Sequence, residues 1–408
     1  MSTVKTIREY FPQLSEKVYS KPLVYLDNAA TSLRPRQVLD KWMKMSESKN
    51  ANIHRAVHYF SNIATQEYEQ TRQQVASFIN ATSASEIIFT SGATASLNLV
   101  ASCFSETQIG PGDEIIIAQC EHHSDIVPWQ LQAQKCGAVI KPFRVDDNGC
   151  LQVDELKKLL TSRTRIVCVA HISNVLGVLN PVKEIAALCH SVGAALLVDG
   201  AQGIVHQKVD VQDLDCDFYA FSGHKLYAAT GTGVLYAKHE WLDRFPPYMG
   251  GGEMIDTVTF EGTTFAKPPQ KFEAGTQNIN SVPTLMPAMQ LAEEFRSASV
   301  EQAQNELKAF VLESLSKIQG VRLYGNPDDP DEKIPLFSIC VEGAHHEDLA
   351  LILDKMGIAV RSGHMCAEPL MQRFGVTGML RASFAPYNTM EEAEYFIRSL
   401  SKAISMLR

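Results

Sequence analysis

The chain has no C-x-x-C pair. Its nine cysteines (Cys103, Cys120, Cys136, Cys150, Cys168, Cys189, Cys216, Cys340 and Cys366) are scattered and odd in number, which argues against a disulfide framework and against a paired-thiol redox or metal motif. Most sit in apolar runs such as IVCVA at Ile166–Ala170, where a reduced, buried, inert thiol is the ordinary state. Excess basic charge is also lacking. Lys and Arg number 37 against 46 Asp and Glu, a net charge of −9. No nucleic acid partner is expected, because a phosphate backbone selects clustered Lys and Arg. No apolar run approaches a membrane span, and MSTVKTIREYFPQL at the start holds no apolar core of signal-peptide length. The expectation is a cytoplasmic protein with no membrane partner. No internal repeat and no low-complexity segment is present.

The composition is globular, 45% hydrophobic and 20% charged, and 408 residues exceed one ordinary domain. Residues 1–22 read as a short amphipathic segment that packs on the smaller domain. From there β-rich runs alternate with helical patterns: VYLDNAAT then a helix through Gln37–Met45, EIIFT then a helix from Ala95, EIIIAQ then a helix near Pro128–Lys135, IVCVAHIS then PVKEIAALCHSVG, followed by AALLVDGA, DFYAFSGHK and GVLYAK. Near-continuous apolar strands between helices predict an α/β fold with a mostly parallel sheet covered on both faces, here over 23–280. Beyond it, helices at Leu285–Phe295 and Glu301–Ile318, strands LFSICVEG, IAVRS and LRASFAP, and a closing amphipathic helix predict a smaller α+β domain over 281–408.

Polar residues gather where the strands end: Asp27 and Asn28, Ser91 to Thr94, His122, Asn174, Asp199, and Ser222 to Lys225. Open α/β sheets bind ligands at that edge. Lys225 follows the apolar run Phe218–Phe221 and the turn Ser222-Gly223-His224. A lysine there either reaches out to water or is held inside because its amine is needed as a Schiff-base former. Asp199 closes the apolar strand AALLV, 26 residues earlier. An amine that holds an aldehyde and a carboxylate that keeps a pyridine nitrogen protonated are the two groups pyridoxal 5′-phosphate requires. The histidine pair His122–His123 near Cys120 lacks a fourth ligand, so no metal is expected.

With these motifs in view the chain resembles a fold-type I pyridoxal-phosphate enzyme of the aminotransferase class V superfamily. Within it the chain is similar to the group II cysteine desulfurases, a branch that includes selenocysteine lyase-like enzymes and cysteine sulfinate desulfinases. The resemblance is carried by YLDNAAT from Tyr25, NIHRAVH from Asn52, EHHSDIVPW from Glu121, SNVLG from Ser173, DGAQ from Asp199, FSGHKLY from Phe221, FEAGTQN from Phe272, RSGHMCAEP from Arg361 and LRASFAPYNT ending at Thr389.

The resemblance implies roles. Lys225 carries the cofactor and later shuttles a proton, Asp199 pairs with the ring nitrogen, Gln202 bonds the ring's phenolic oxygen, and His122 stacks on the ring. Ser222, His224 and the helix start at Ala93 and Thr94 supply phosphate donors. Thr276 reaches the phosphate of a partner subunit, which implies a homodimer. Arg381 holds the substrate carboxylate and Asn174 touches both carboxylate and cofactor, with Arg361, His54 and Arg55 as secondary contacts. Cys366, beside Arg361 and His364, takes sulfur from L-cysteine as a persulfide, leaving alanine. A small sulfur-acceptor protein, with iron–sulfur cluster assembly as the destination, completes the implied picture.

The chain departs from the family pattern at several places. Met365 stands where a histidine is common, Ala93 where threonine is frequent, Ala228 and Ala229 where Gly-Pro is frequent, Gln277 for proline and Asp125 for asparagine. Selenocysteine or cysteine sulfinate lysis is the nearest rival activity, and a non-catalytic sulfur-transfer scaffold is a further one. TGTG at Thr230–Gly233 is too short for a dinucleotide fingerprint.

Overall fold

Alternating apolar runs and helical patterns build one large twisted sheet. The computed structural model describes residues 4–325 and 329–408. From one edge to the other, the seven strands are Ile87–Thr90, Gly233–Ala237, Phe218–Ser222, Ala195–Asp199, Thr164–Ala170, Glu114–Ala118 and Val139–Phe143. The last five pair in parallel. Gly233–Ala237 runs antiparallel to both of its neighbours. The inner strands are buried along their whole length, as Ala195–Asp199 and Phe218–Ser222 illustrate, which is why they read as unbroken apolar runs rather than alternating ones. Two large apolar clusters result, one containing Val198, Tyr219 and Phe221, the other Leu197, Phe218 and Ala220. Successive residues of one strand fall into different clusters because their side chains point to opposite faces.

Two glycines fix the geometry at the sheet's edge. A Cβ on Gly233 would lie 2.4 Å from the Gly92 backbone, so only glycine lets this strand touch the turn before the helix Ala93–Gln108. A Cβ on Gly200 would lie 2.0 Å from the Tyr219 ring, and Tyr219 is itself held by His171 Nδ1 at 3.0 Å.

A second, four-stranded sheet has the order Val321–Tyr324, Leu336–Val341, Met379–Ser383 and Arg361–Gly363, all antiparallel. It packs with Ala298–Ser316, His346–Lys355 and Met390–Leu407 around a separate apolar cluster. One expectation is corrected here. VYLDNAAT is not a strand of the large sheet; Val24–Tyr25 pairs in parallel with Ile358–Ala359. The stretch turns polar after three apolar residues, too short to cross a buried sheet. The N-terminal segment touches both parts of the molecule: Lys21 Nζ donates to Lys355 O at 2.8 Å, and Phe11 packs against Tyr227, Phe295 and Tyr387. Among the described residues, no helix is long and apolar enough to cross a membrane.

Candidate active site

The carboxyl ends of the parallel strands open into a cavity of about 180 Å³. Its walls include Ala93, Thr94, His122, Asn174, Asp199, Ser222, His224, Lys225, Arg361, Cys366 and Arg381. The residues named come from seven separate stretches of sequence, which therefore meet as the strand-end rule predicts.

The inner wall is charged. Lys225 sits just past the end of Phe218–Ser222, and burial pulls its amine's proton affinity down, a shift that the nearby Asp199 carboxylate opposes. Asp199 is 7% exposed and its Oδ1 accepts from the Ala201 amide at 2.9 Å. Gln202 Nε2 donates to Ala29 O at 2.8 Å, which anchors the turn after Asp199.

One end of the cavity is a helix start. Ala93 and Thr94 form the first turn of Ala93–Gln108, and the Ala93 amide donates to Ser222 Oγ at 2.8 Å. Thr94 Oγ1 and Ser124 Oγ lie 2.8 Å apart. A 16-residue helix directs its positive end here.

The opposite end is cationic. Arg381 is 2% exposed; it donates to Asn174 O at 2.7 Å and to Asp27 Oδ1 at 3.2 Å, and its Nε has no partner. Arg361 donates to Asp27 Oδ2 at 3.2 Å. Asp27 thus holds two guanidiniums side by side. Sequence reasoning placed Asp27 at a strand end but gave it no function; its signal was the acid one residue past an apolar run.

Cys366 lies at the rim and is the one exposed thiol among the nine cysteines. The buried ones are pushed to higher pKa by burial, Cys103 to about 12, which keeps them inert. The Cys366 loop is tied down from two sides. The His123 amide donates to Cys366 O at 2.7 Å, and Asn174 Nδ2 donates to Met365 O at 2.9 Å. His123 Nε2 accepts from the Glu368 amide at 3.1 Å. The second histidine of the pair, assigned no role from sequence, thus anchors the thiol loop.

Four expected residues, Gln202, His54, Arg55 and Thr276, do not line the cavity of this chain; Gln202 is turned to Ala29 O instead. His54 pairs with Glu69 at 2.9 Å, Arg55 with Glu253 at 3.2 Å, and Thr276 lies exposed on a loop. Among the described residues no cluster of three His, Cys, Asp or Glu has metal-binding geometry.

Residues 24–396 match the family described as Aminotransferase class-V. The chain belongs to that family. Relatives of this class-V chain include a probable cysteine desulfurase of Vibrio cholerae, 43% identical over 407 residues and covering all of both chains, and one of Synechocystis, 44% identical over 99% of this chain and 96% of the relative. Solved class-V structures agree: the cysteine desulfurase CsdA (S-sulfonic acid) from Escherichia coli has a TM-score of 0.91 at 38% identity with full coverage of both chains. An apo cysteine desulfurase from Thermococcus onnurineus has a TM-score of 0.94 at 37% identity, covering 100% of this chain and 99% of that one.

The histidines of this class-V site give it a defined acid limit. Burial holds His122, His171 and His224 at about 4, against an ordinary 6.5, with the Lys225 cation adding to the effect on His122 and His224. Between those values the unfolded chain binds more protons than the folded one, so stability rises with pH across that window. The three contributions are complete above about pH 6.5 and are lost as pH falls toward 4. Melting temperature is expected to fall steeply below about pH 6. A melting curve that is flat from neutrality down to about pH 4.5 would contradict the burial of neutral imidazoles.

Proposed function

We propose that this chain is a pyridoxal-phosphate-dependent cysteine desulfurase, converting L-cysteine to L-alanine and taking the sulfur onto Cys366. The observation that carries the reading is a single cavity lined by Lys225, Asp199, Cys366 and Arg381. The donor set fits the cofactor. A desolvated amine suits its aldehyde, an acid with one oxygen committed to a backbone amide suits its ring nitrogen, and a helix start with Ser222 and His224 suits its phosphate. Bound there, the group withdraws electrons from the substrate's α-carbon.

The chain's own residues do the rest. Arg381, already aimed by Asn174 O and Asp27, takes the substrate carboxylate through a planar pair of N–H donors. Lys225 Nζ, with its lowered proton affinity, removes the α-proton and returns a proton to the product. His122, held at Nδ1 by Ser124 Oγ at 3.0 Å, presents a neutral ring to the cofactor face. Cys366 Sγ attacks the substrate sulfur: the new S–S bond forms as the Cβ–S bond breaks, the electron pair passes to the carbon skeleton, and protonation there yields alanine. The balance is one cysteine and one enzyme thiol in, one alanine and one enzyme persulfide out.

A homodimer belongs to this reading. Thr276, His54 and Arg55 lie outside their own chain's cavity and are assigned to the site of a partner subunit. So does a small thiol protein that collects the sulfur at the exposed rim, in a cytoplasmic setting. The same reading divides the chain at 23–280 and 281–408, with residues 1–22 on the smaller part; the separate apolar cluster around Phe337, Leu353 and Phe396 supports the smaller unit, while Ile7 and Phe11 pack into the cluster of the large sheet.

The decisive measurement is alanine release from L-cysteine, with and without a reducing thiol, coupled to mass spectrometry of the Cys366 peptide for one added sulfur. No alanine and no added sulfur would overturn the assignment. Arg381→Lys tests the carboxylate contact. Losing a paired guanidinium contact is expected to lower kcat/KM about a hundredfold, mainly through KM. Steady-state kinetics with L-cysteine would refute the role if KM stayed at the wild-type value.

A further inference from the structure

Below the cavity floor, the turn after Glu114–Ala118 carries two carboxyls that the reaction above leaves unused. Glu121 and Asp125 are each 0% exposed. Glu121 Oε1 accepts from the Ala170 amide at 2.7 Å, and Asp125 Oδ1 accepts from the Trp129 indole at 3.3 Å. Their second oxygens, Glu121 Oε2 and Asp125 Oδ2, have no donor from any other group. Yet the two side chains are in hydrogen-bonding contact with each other.

The surroundings offer no cation. The charge of Asp199 acts on both carboxyls and that of Asp125 on Glu121, all of one sign. Cys168 of the neighbouring strand lies near both carboxyls and Cys120 near Glu121, and burial pushes both thiols toward the neutral form. Two facing carboxylate oxygens without a donor, in a dry and anionic pocket, cannot both stay ionised. One proton between them satisfies both.

We propose that Glu121 and Asp125 share a single proton, between Oε2 and Oδ2, across the neutral pH range, so that this carboxyl cluster keeps its proton on the pair and leaves Asp199 ionised toward the cavity. Burial raises the proton affinity of both carboxyls, in keeping with that sharing. The two are positioning residues: they act on the cofactor through Asp199, and their functional consequence rests on the pyridoxal-phosphate reading. The pair carries one negative charge. An amide at either position keeps that charge, because its N–H replaces the shared proton; amides at both positions remove it.

Infrared difference spectroscopy tests this on the full chain supplied with pyridoxal 5′-phosphate, at about pH 8. The wild type is expected to show the C=O stretch of a protonated carboxyl, shifted in D2O, and both Asp125→Asn and Glu121→Gln lose it. Carboxyl-13C labelling of the wild type moves the same band and needs no substitution. The single variants are expected to bind pyridoxal 5′-phosphate within about threefold of the wild type, and the double variant E121Q/D125N at least as tightly, because losing a like charge beside Asp199 favours its ionised form. Bound cofactor without the band overturns the shared proton, and binding more than about threefold weaker in the folded double variant overturns its effect through Asp199. The band without any bound chromophore would instead sink the cofactor reading and leave the proton in place.

Discussion

Replacing Lys225 with alanine is expected to cut alanine formation from L-cysteine by about a thousandfold or more, with no loss of thermal stability. The two effects separate because of where the amine sits. Burial lowers its proton affinity, which means that the folded protein spends free energy to keep a cation, or its neutral form, away from water. Removing the side chain relieves that cost, so melting temperature should stay level or rise. Activity has no such compensation. In the proposed mechanism the amine anchors the aldehyde, and among the described residues it is the only lysine on the cavity wall. Borohydride reduction of the wild type should fix the cofactor to the peptide containing residue 225, and the variant should yield no such adduct. Retention of more than about a tenth of the activity would show that another group moves the α-proton.

Cys366→Ala is expected to lower turnover of L-cysteine by on the order of a hundredfold or more while sparing cysteine sulfinate. A thiolate leaving group needs a partner sulfur to take it. Sulfinate departs without one. The substitution removes one exposed thiol at the rim and leaves the Lys225, Asp199 and Arg381 side chains in place, so comparing the two substrates isolates the step that needs the thiol. Parallel loss of both activities would mean that the loop had collapsed into the site. Full retention with cysteine would return the sulfur chemistry to a different thiol, and Cys136, Cys150 and Cys340, the half-buried ones, would be the next to substitute.

Much of this site was legible because its chemistry sits at the ends of buried strands. An unbroken apolar run that stops on a charged residue is a readable signal, which Asp199 carries, and Lys225 follows such a run after a short Ser-Gly-His turn. The direction of a strand is not encoded that way. Gly233–Ala237 looks like its parallel neighbours in composition, and its antiparallel pairing follows from the short connection after Lys225 rather than from any residue within it. Val139–Phe143 escaped notice because it is an edge strand, partly exposed and interrupted by Lys141 and Pro142. The roles of Asp27 and His123 were hidden for a different reason. Each works by holding something more than 200 residues away in the chain, Arg381 in one case and the Cys366 loop in the other, and no local pattern reports such a contact.

Met365 and Cys366 adopt φ values of 51° and 56°, a backbone region that suits glycine and costs other residues about 1–2 kcal/mol each. On the proposed mechanism glycine is unavailable at position 366, because the side chain at this corner supplies the attacking sulfur. Evolution therefore cannot relax this bend without discarding the sulfur. The surrounding amides that grip the two carbonyls are the counterweight, and weakening that grip should let the tip swing outward, toward the acceptor that the proposed function calls for, without any other part of the framework having to move.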